Sequence, residues 1–158
     1  MKVGMSRATQ GVSNREFVRI LRSQVEEYLR AVDEWETTYR KFYRVRGSDK
    51  AVSPDMVEPD RRYREARKKL EKLIPEARRL SYRYAVRDVW PGFMRSSLGR
   101  YAPQTRTVSA ISRSERAAVT ESLARLAAAC EEEERSQEWK REEPEHGWLQ
   151  RVFGRFFG

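Results

Sequence analysis

Residues 13–46 read SNREFVRILRSQVEEYLRAVDEWETTYRKFYRVR, and the fold turns on how this stretch is read. It opens on Ser13-Asn14-Arg15-Glu16, a capping box. In that pattern the Ser oxygen accepts from the backbone N–H three residues on, and the Glu reaches back to the Ser N–H. Apolar residues then follow at Val18, Leu21, Val25, Tyr28, Val32, Trp35, Tyr39 and Phe42. Their spacing alternates three and four without interruption, which puts them on one seam of a long helix. Phe17, Leu29 and Tyr43 widen the seam into a face that can meet two neighbours. Glu26/Arg30 and Glu36/Arg40 are i,i+4 pairs in the favourable order. Gly47 ends the pattern, and the helix predicted over 13–46 is roughly 50 Å long at 1.5 Å per residue.

The same signature recurs downstream. GSDKAVSPDM, residues 47–56, is a turn by composition. A second helix is expected over about 55–87, starting between Pro54 and Pro59. Its seam is Tyr63, Ala66, Leu70, Leu73, Ala77, Leu80 and Tyr84, and it stays in phase across Pro75, so the proline predicts a kink rather than a split. Residues 88–111 hold Pro91, Gly92, Gly99 and Pro103 among Trp90, Phe93, Leu98 and Tyr101. They read as an irregular connection with one short helix near 93–98, whose aromatics plug the end of a bundle. A third long helix is expected over 112–141 behind a second capping box, Ser112-Arg113-Ser114-Glu115. Its face is Val119, Leu123, Leu126 and Cys130, flanked by small Ala118, Ala127 and Ala129.

Working outward, residues 1–12 are expected to be loosely ordered, and 142–147, EEPEHG, read as a linker. The tail that follows, residues 148–158, carries Trp148, Leu149, Val152, Phe153, Phe156 and Phe157 at spacings that share one side of a helix. The expected fold is therefore all-α: an elongated bundle of three long helices, with a short C-terminal amphipathic helix behind the linker. The chain has 158 residues, enough for one domain. Charged residues make up 36%, well above the usual quarter, as suits thin bundles with much surface. No uncharged run reaches the ~20 residues that span a bilayer, and the first residues lack the apolar core of a signal peptide. One cysteine excludes an internal disulfide framework. These features favour the cytoplasm, with membrane contact limited to the periphery.

The residues that chemistry needs are sparse. One His and one Cys leave no zinc ligand set, and no cofactor or small-molecule substrate is expected. Glu143 and His146 have the Glu-x-x-His spacing of di-iron bundles, but the pair occurs once and encloses Pro144. No glycine-rich phosphate loop is present. Cys130 lies on a seam and reads as a small core residue. The chain is accordingly expected not to be an enzyme.

Two surfaces remain. Net charge is +9 and uneven: residues 57–111 carry +8, whereas 112–147 carry −4. In an antiparallel hairpin of the first two helices, Arg40, Lys41, Arg44, Arg46, Lys50, Arg61, Arg62, Arg64, Arg67, Lys68 and Lys69 gather at one pole. Seven of these eleven cations are arginines, which suit bidentate phosphate contacts. Tyr39, Tyr43 and Tyr63 lie among them, as stacking rings for a base or as core residues. An up-down-up arrangement would return Glu131–Glu134 to this same pole and cancel part of its field. The second surface is the aromatic tail, which packs on its own bundle, docks in a partner's groove or lies on a membrane. The expected function is a non-enzymatic interaction protein that binds a protein partner or itself through the tail. The alternatives are a nucleic-acid-binding subunit using the basic pole and a homo-oligomeric scaffold built on the first seam.

Overall fold

In the computed structural model, residues 11–46, 54–95 and 111–156 are described, with side chains described for 11–41, 54–95 and 111–140. The expectations for residues 1–10, the turn at 47–53 with Lys50, Leu98 and Tyr101 in the connection, and Phe157 lie outside them. The described chain is all-α. Helix α1 spans Asn14–Arg46, α2 Val57–Arg83, α3 Trp90–Arg95 and α4 Arg113–Phe156, with a 3-10 turn at Pro54–Met56 leading into α2.

Helices α1 and α4 start where their capping residues direct. The Ser13 hydroxyl accepts the Glu16 N–H at 3.1 Å. At α4 the capping box closes both ways: Glu115 N–H donates to Ser112 Oγ, and Ser112 N–H to Glu115 Oε2, each at 3.2 Å. The seams do the packing. Val18, Leu21, Val25, Tyr28, Val32, Trp35 and Tyr39 of α1 are buried against Tyr63, Ala66, Leu70, Leu73, Ala77 and Leu80 of α2 and Val119, Leu123, Leu126 and Cys130 of α4. Pro75 does not split α2, which runs through it with the proline on the exposed side.

Helix α2 ends at Arg83, short of the expected 87. Val86 N–H reaches Ser81 O at 2.8 Å and Ala85 N–H reaches Tyr82 O at 3.3 Å, the two bonds of a Schellman stop. Ala85 occupies the left-handed position at φ 53°, where glycine is the usual residue. Nothing in the residue types at 84–86 announces this stop.

The long connection departs from expectation in a second way. Trp90 and Phe93 line the flank of the bundle and do not cap its end. The Trp90 indole is fully buried and donates to Ser81 Oγ at 3.1 Å, while Ser81 in turn donates to Ala77 O at 2.8 Å. Phe93 meets Tyr28 edge-on at 5.7 Å. Arg67 Nη2 donates to Met94 O at 3.2 Å. Going from Trp90 to Met94, the partners on α2 run from Ser81 back to Arg67, so α3 lies antiparallel beside α2.

That return path reverses the expected direction of the last helix. Asp33–Arg116 and Arg15–Glu134 are ion pairs separated by the same eighteen residues on each helix, so α1 and α4 are antiparallel and in register. Glu34–Arg62, Glu27–Lys69 and Asn14–Tyr84 set α1 antiparallel to α2. Helices α2 and α4 are thus parallel, and no up-down-up order holds for the three long helices. The break expected at 142–147 is also absent from the backbone. Helix α4 continues through Pro144 and Gly147 to Phe156, so the tail is helical as the end of α4 and not as a separate element.

Candidate functional site

The basic pole forms where the end of α1 meets the start of α2. Its described cations mostly sit in ion pairs. Arg61 bridges Glu58 and Glu65, the latter at 2.9 Å. Arg62 reaches Glu34 at 2.7 Å and Glu58 at 3.4 Å, Arg64 reaches Asp60 at 2.9 Å, and Arg40 reaches Glu36 at 2.5 Å. Lys69 lies 3.5 Å from Glu27 across the α1–α2 groove. Arg67 is drawn inward, with Nε on Glu71 at 2.9 Å. Lys41 and Lys68 are exposed with no ion pair among the described residues. Arg44 and Arg46 lie on the α1 backbone with side chains outside the description, and Lys50 lies outside it altogether.

The electrostatics follow from these pairs. Hydrogen bonding by Arg61 holds the Glu58 carboxyl below its ordinary range, and Glu58 with Glu65 pushes the Arg61 guanidinium up. These groups are open to water, where solvent screens the pairs and leaves them little effect on stability. The rings among the cations are not free platforms. Tyr39 stacks on Trp35 at 4.9 Å, nearly parallel, and Tyr63 packs on Tyr28, so both belong to the core and cannot receive a base. The Tyr43 side chain lies outside the description.

Glu131–Glu134 lie at the opposite pole, because α4 runs parallel to α2. There Glu133 pairs with Arg83 and accepts the Tyr84 hydroxyl proton, Asn14 donates to that same hydroxyl oxygen at 3.1 Å, and Glu134 pairs with Arg15. Burial first, then the hydrogen bond to Glu133, pushes the Tyr84 phenol up to about 12. Burial likewise raises the thiol of Cys130, which lies on the seam beneath. The expected cancellation of the basic pole by this acidic run does not occur; its counter-charges are carboxylates of α1 and α2.

Beyond Glu134 the surroundings of α4 change. Arg135 to Lys140 are all exposed, and Trp139 shows 68% of its surface. The backbone then continues helical to Phe156. Trp148, Leu149, Val152, Phe153 and Phe156 stand on that backbone, with side chains outside the description. Residues 135–156 form an arm of about 33 Å at 1.5 Å per residue. It leaves the bundle at the pole opposite the basic one, so the structure does not bring the two candidate surfaces together.

The first seam is filled by the other helices, so a self-association surface would have to lie elsewhere. Among the described residues no group of His, Cys, Asp or Glu could hold a metal ion, and no helix is long and apolar enough to cross a membrane. Comparison with family models, curated proteins and solved structures finds no match for this chain. Sequence reasoning named Trp90 as a packing residue but not its partner Ser81. The available signal was the Ala77/Ser81 pair, two small residues one turn apart that leave room for an indole ring.

Proposed function

We propose that this chain is a non-enzymatic helical interaction protein: the bundle is a rigid base, and the arm of α4 beyond Glu134 is its docking element. The observation that supports this is the exposed run 135–140 with Trp139 open to solvent, continuing as helix into a segment with four aromatics in its last eleven residues. Residues 135–140 are exposed throughout, and a helix without packing is marginal in water, so on this reading the arm gains order from what it docks on. The occupant is a partner's groove, a second copy or an anionic membrane surface, to which Arg151 and Arg155 would be drawn.

Removing residues 148–158 tests the reading. The truncated chain should keep the melting temperature of the full chain and lose its association. Sizing chromatography, pull-down and flotation with anionic and neutral vesicles identify the occupant. A truncated chain that melts far lower, or that associates as before in all three assays, would overturn the proposal.

A second reading, nucleic-acid binding at the basic pole, is favoured by the placement of Glu131–Glu134 at the other end. The exposed pairs at Arg61, Arg62 and Arg64 are weak enough to be exchanged for phosphate contacts. Affinity that falls steeply with salt and drops for all sequences alike in the quadruple Ala variant of Arg61, Arg62, Lys68 and Lys69 would support it. No binding at low salt rejects it.

A further inference from the structure

Helix α2 presents a second stripe, directed away from its buried seam. Arg61, Arg64, Lys68, Lys72 and Arg79 follow one another at helical spacings of three, four or seven, and Pro75 and Tyr82 take the remaining places. All seven are exposed, and no carboxylate stands among them. The stripe is about 32 Å long at 1.5 Å per residue. Carboxylates lie at its flanks. Arg61 leans on Glu58 and Glu65, Arg64 on Asp60 and Arg79 on Glu76, whereas Lys68 and Lys72 have no ion pair among the described residues. The exposed side of α1 has no counterpart: Glu16, Glu26, Asp33 and Glu34 interrupt its cations. Tyr82 closes the row on the last turn of α2, with 92% of its surface open.

Two features of this face have to be met together. A row of positive charges calls for a ligand with negative charges repeated along its length, and an exposed phenol ring calls for a flat apolar partner. Single-stranded nucleic acid supplies both: phosphates for the cations and an unstacked base for the ring. A duplex supplies the charge, but its base faces are already stacked on one another. An anionic bilayer supplies the charge too, but the stripe has no aliphatic side chain to bury in it. The flanking ion pairs are solvent-exposed and screened, so each arginine can exchange its carboxylate for a phosphate.

We propose that the outward face of α2 from Arg61 to Tyr82 binds single-stranded nucleic acid, with the phosphate backbone along the cations and one base stacked on Tyr82. The proposal rests on the nucleic-acid reading of the basic pole, with which the stripe shares Arg61, Arg64 and Lys68. It adds Lys72, Arg79 and Tyr82, which carry the contact from the pole along the bundle. Stacking accepts any base, so sequence preference is weak.

The test is fluorescence anisotropy of a labelled oligothymidylate titrated with the full chain over a range of salt. The log–log salt slope should be roughly −0.7 for each phosphate engaged, and Lys72→Ala with Arg79→Ala should make it shallower by about 1.4. Tyr82→Ala should weaken binding by about fivefold or more at unchanged slope, and Tyr82→Phe, which keeps the ring, should restore it. All three side chains are exposed, so the melting temperatures should not move and show that the fold is kept. Arg40→Ala with Lys41→Ala separates stripe from pole. If that variant loses binding while changes at Lys72, Arg79 and Tyr82 have no effect, the stripe is overturned and the pole reading stands. The reverse pattern supports the stripe and rejects the pole as the main contact. An unchanged affinity in Tyr82→Ala, a duplex bound more tightly than the single strand, or no binding at low salt overturns the proposal. So does flotation with anionic vesicles that the oligothymidylate fails to compete away.

Discussion

The two halves of α4 are one helix in two surroundings. From Arg113 to Glu134 it lays Val119, Leu123, Leu126 and Cys130 into the core, with its ends tied by Arg116–Asp33 and Arg15–Glu134. From Arg135 to Lys140 no side chain is buried. The backbone geometry is the same, but the reason for it is not. The first half is helical because packing rewards a 3.6-residue period. The second has its intrinsic propensity and weak pairs such as Arg135–Glu131 at 3.7 Å, and further on it must accommodate Pro144 and Gly147. Helical form alone therefore says little about how firmly a segment is held.

The contrast is most directly broken by large substitutions on either side of Glu134. Trp90→Ala, beneath the first half, should destabilise by about 3–5 kcal/mol, since it opens a cavity and removes the indole N–H that Ser81 Oγ accepts. Leu126→Ala should follow at about 2–5 kcal/mol. Chemical denaturation of both variants checks this; losses under ~1 kcal/mol would remove the packing account.

The junction between the halves has a pH signature. The Tyr84 phenol is raised from 10.0 to about 12 in the folded chain, so folding favours its neutral form. That contribution is fully present below pH ~10 and is lost as pH rises through the folded value. Tyr84→Phe should melt lower at pH 8 by about 1 kcal/mol of stability and lose less than the wild type between pH 10 and 12. Parallel alkaline limbs in the two proteins would show that the Glu133–Tyr84–Asn14 contact is not coupled to folding.

Smaller effects sharpen the picture. Ala85→Gly relieves a left-handed alanine and should stabilise by about 1 kcal/mol or less, read as a rise in denaturation midpoint. In the second half, Trp139→Ala and Pro144→Ala should leave the melting transition within ~0.5 kcal/mol of wild type. Pro144→Ala should instead increase the far-ultraviolet helical signal, because a proline inside a helix costs about 3 kcal/mol locally. A cooperative melting shift from either variant would mean that the arm is part of the core.

What could be read from residues alone divides along the same line. The seams of α1 and α2 and the caps at Ser13 and Ser112 depend on neighbours three or four residues away, and these were legible. The direction of α4 was not. It follows the return of the chain along α2 through Trp90, Phe93 and Met94, and the partners of the last two, Tyr28 and Arg67, are distant in sequence. The stop at Arg83 rests on a backbone angle at Ala85 that its residue type disfavours. Of the candidate surfaces, the cations were legible as a cluster but their counter-charges were misplaced. Glu34 and Glu27 lie across the hairpin from Arg62 and Lys69, and Glu131–Glu134 lie at the far end.

The parallel course of α2 and α4 also sets a distance between the two ends of the bundle. Arg40 and Arg15 are twenty-five residues apart on α1, about 38 Å along the axis. The cationic end and the root of the arm are separated by that length of packed helix, with the arm directed away. Ligands at the two ends would be held at a fixed distance without touching, and the second capture would gain from the first through effective concentration, not through a shared contact.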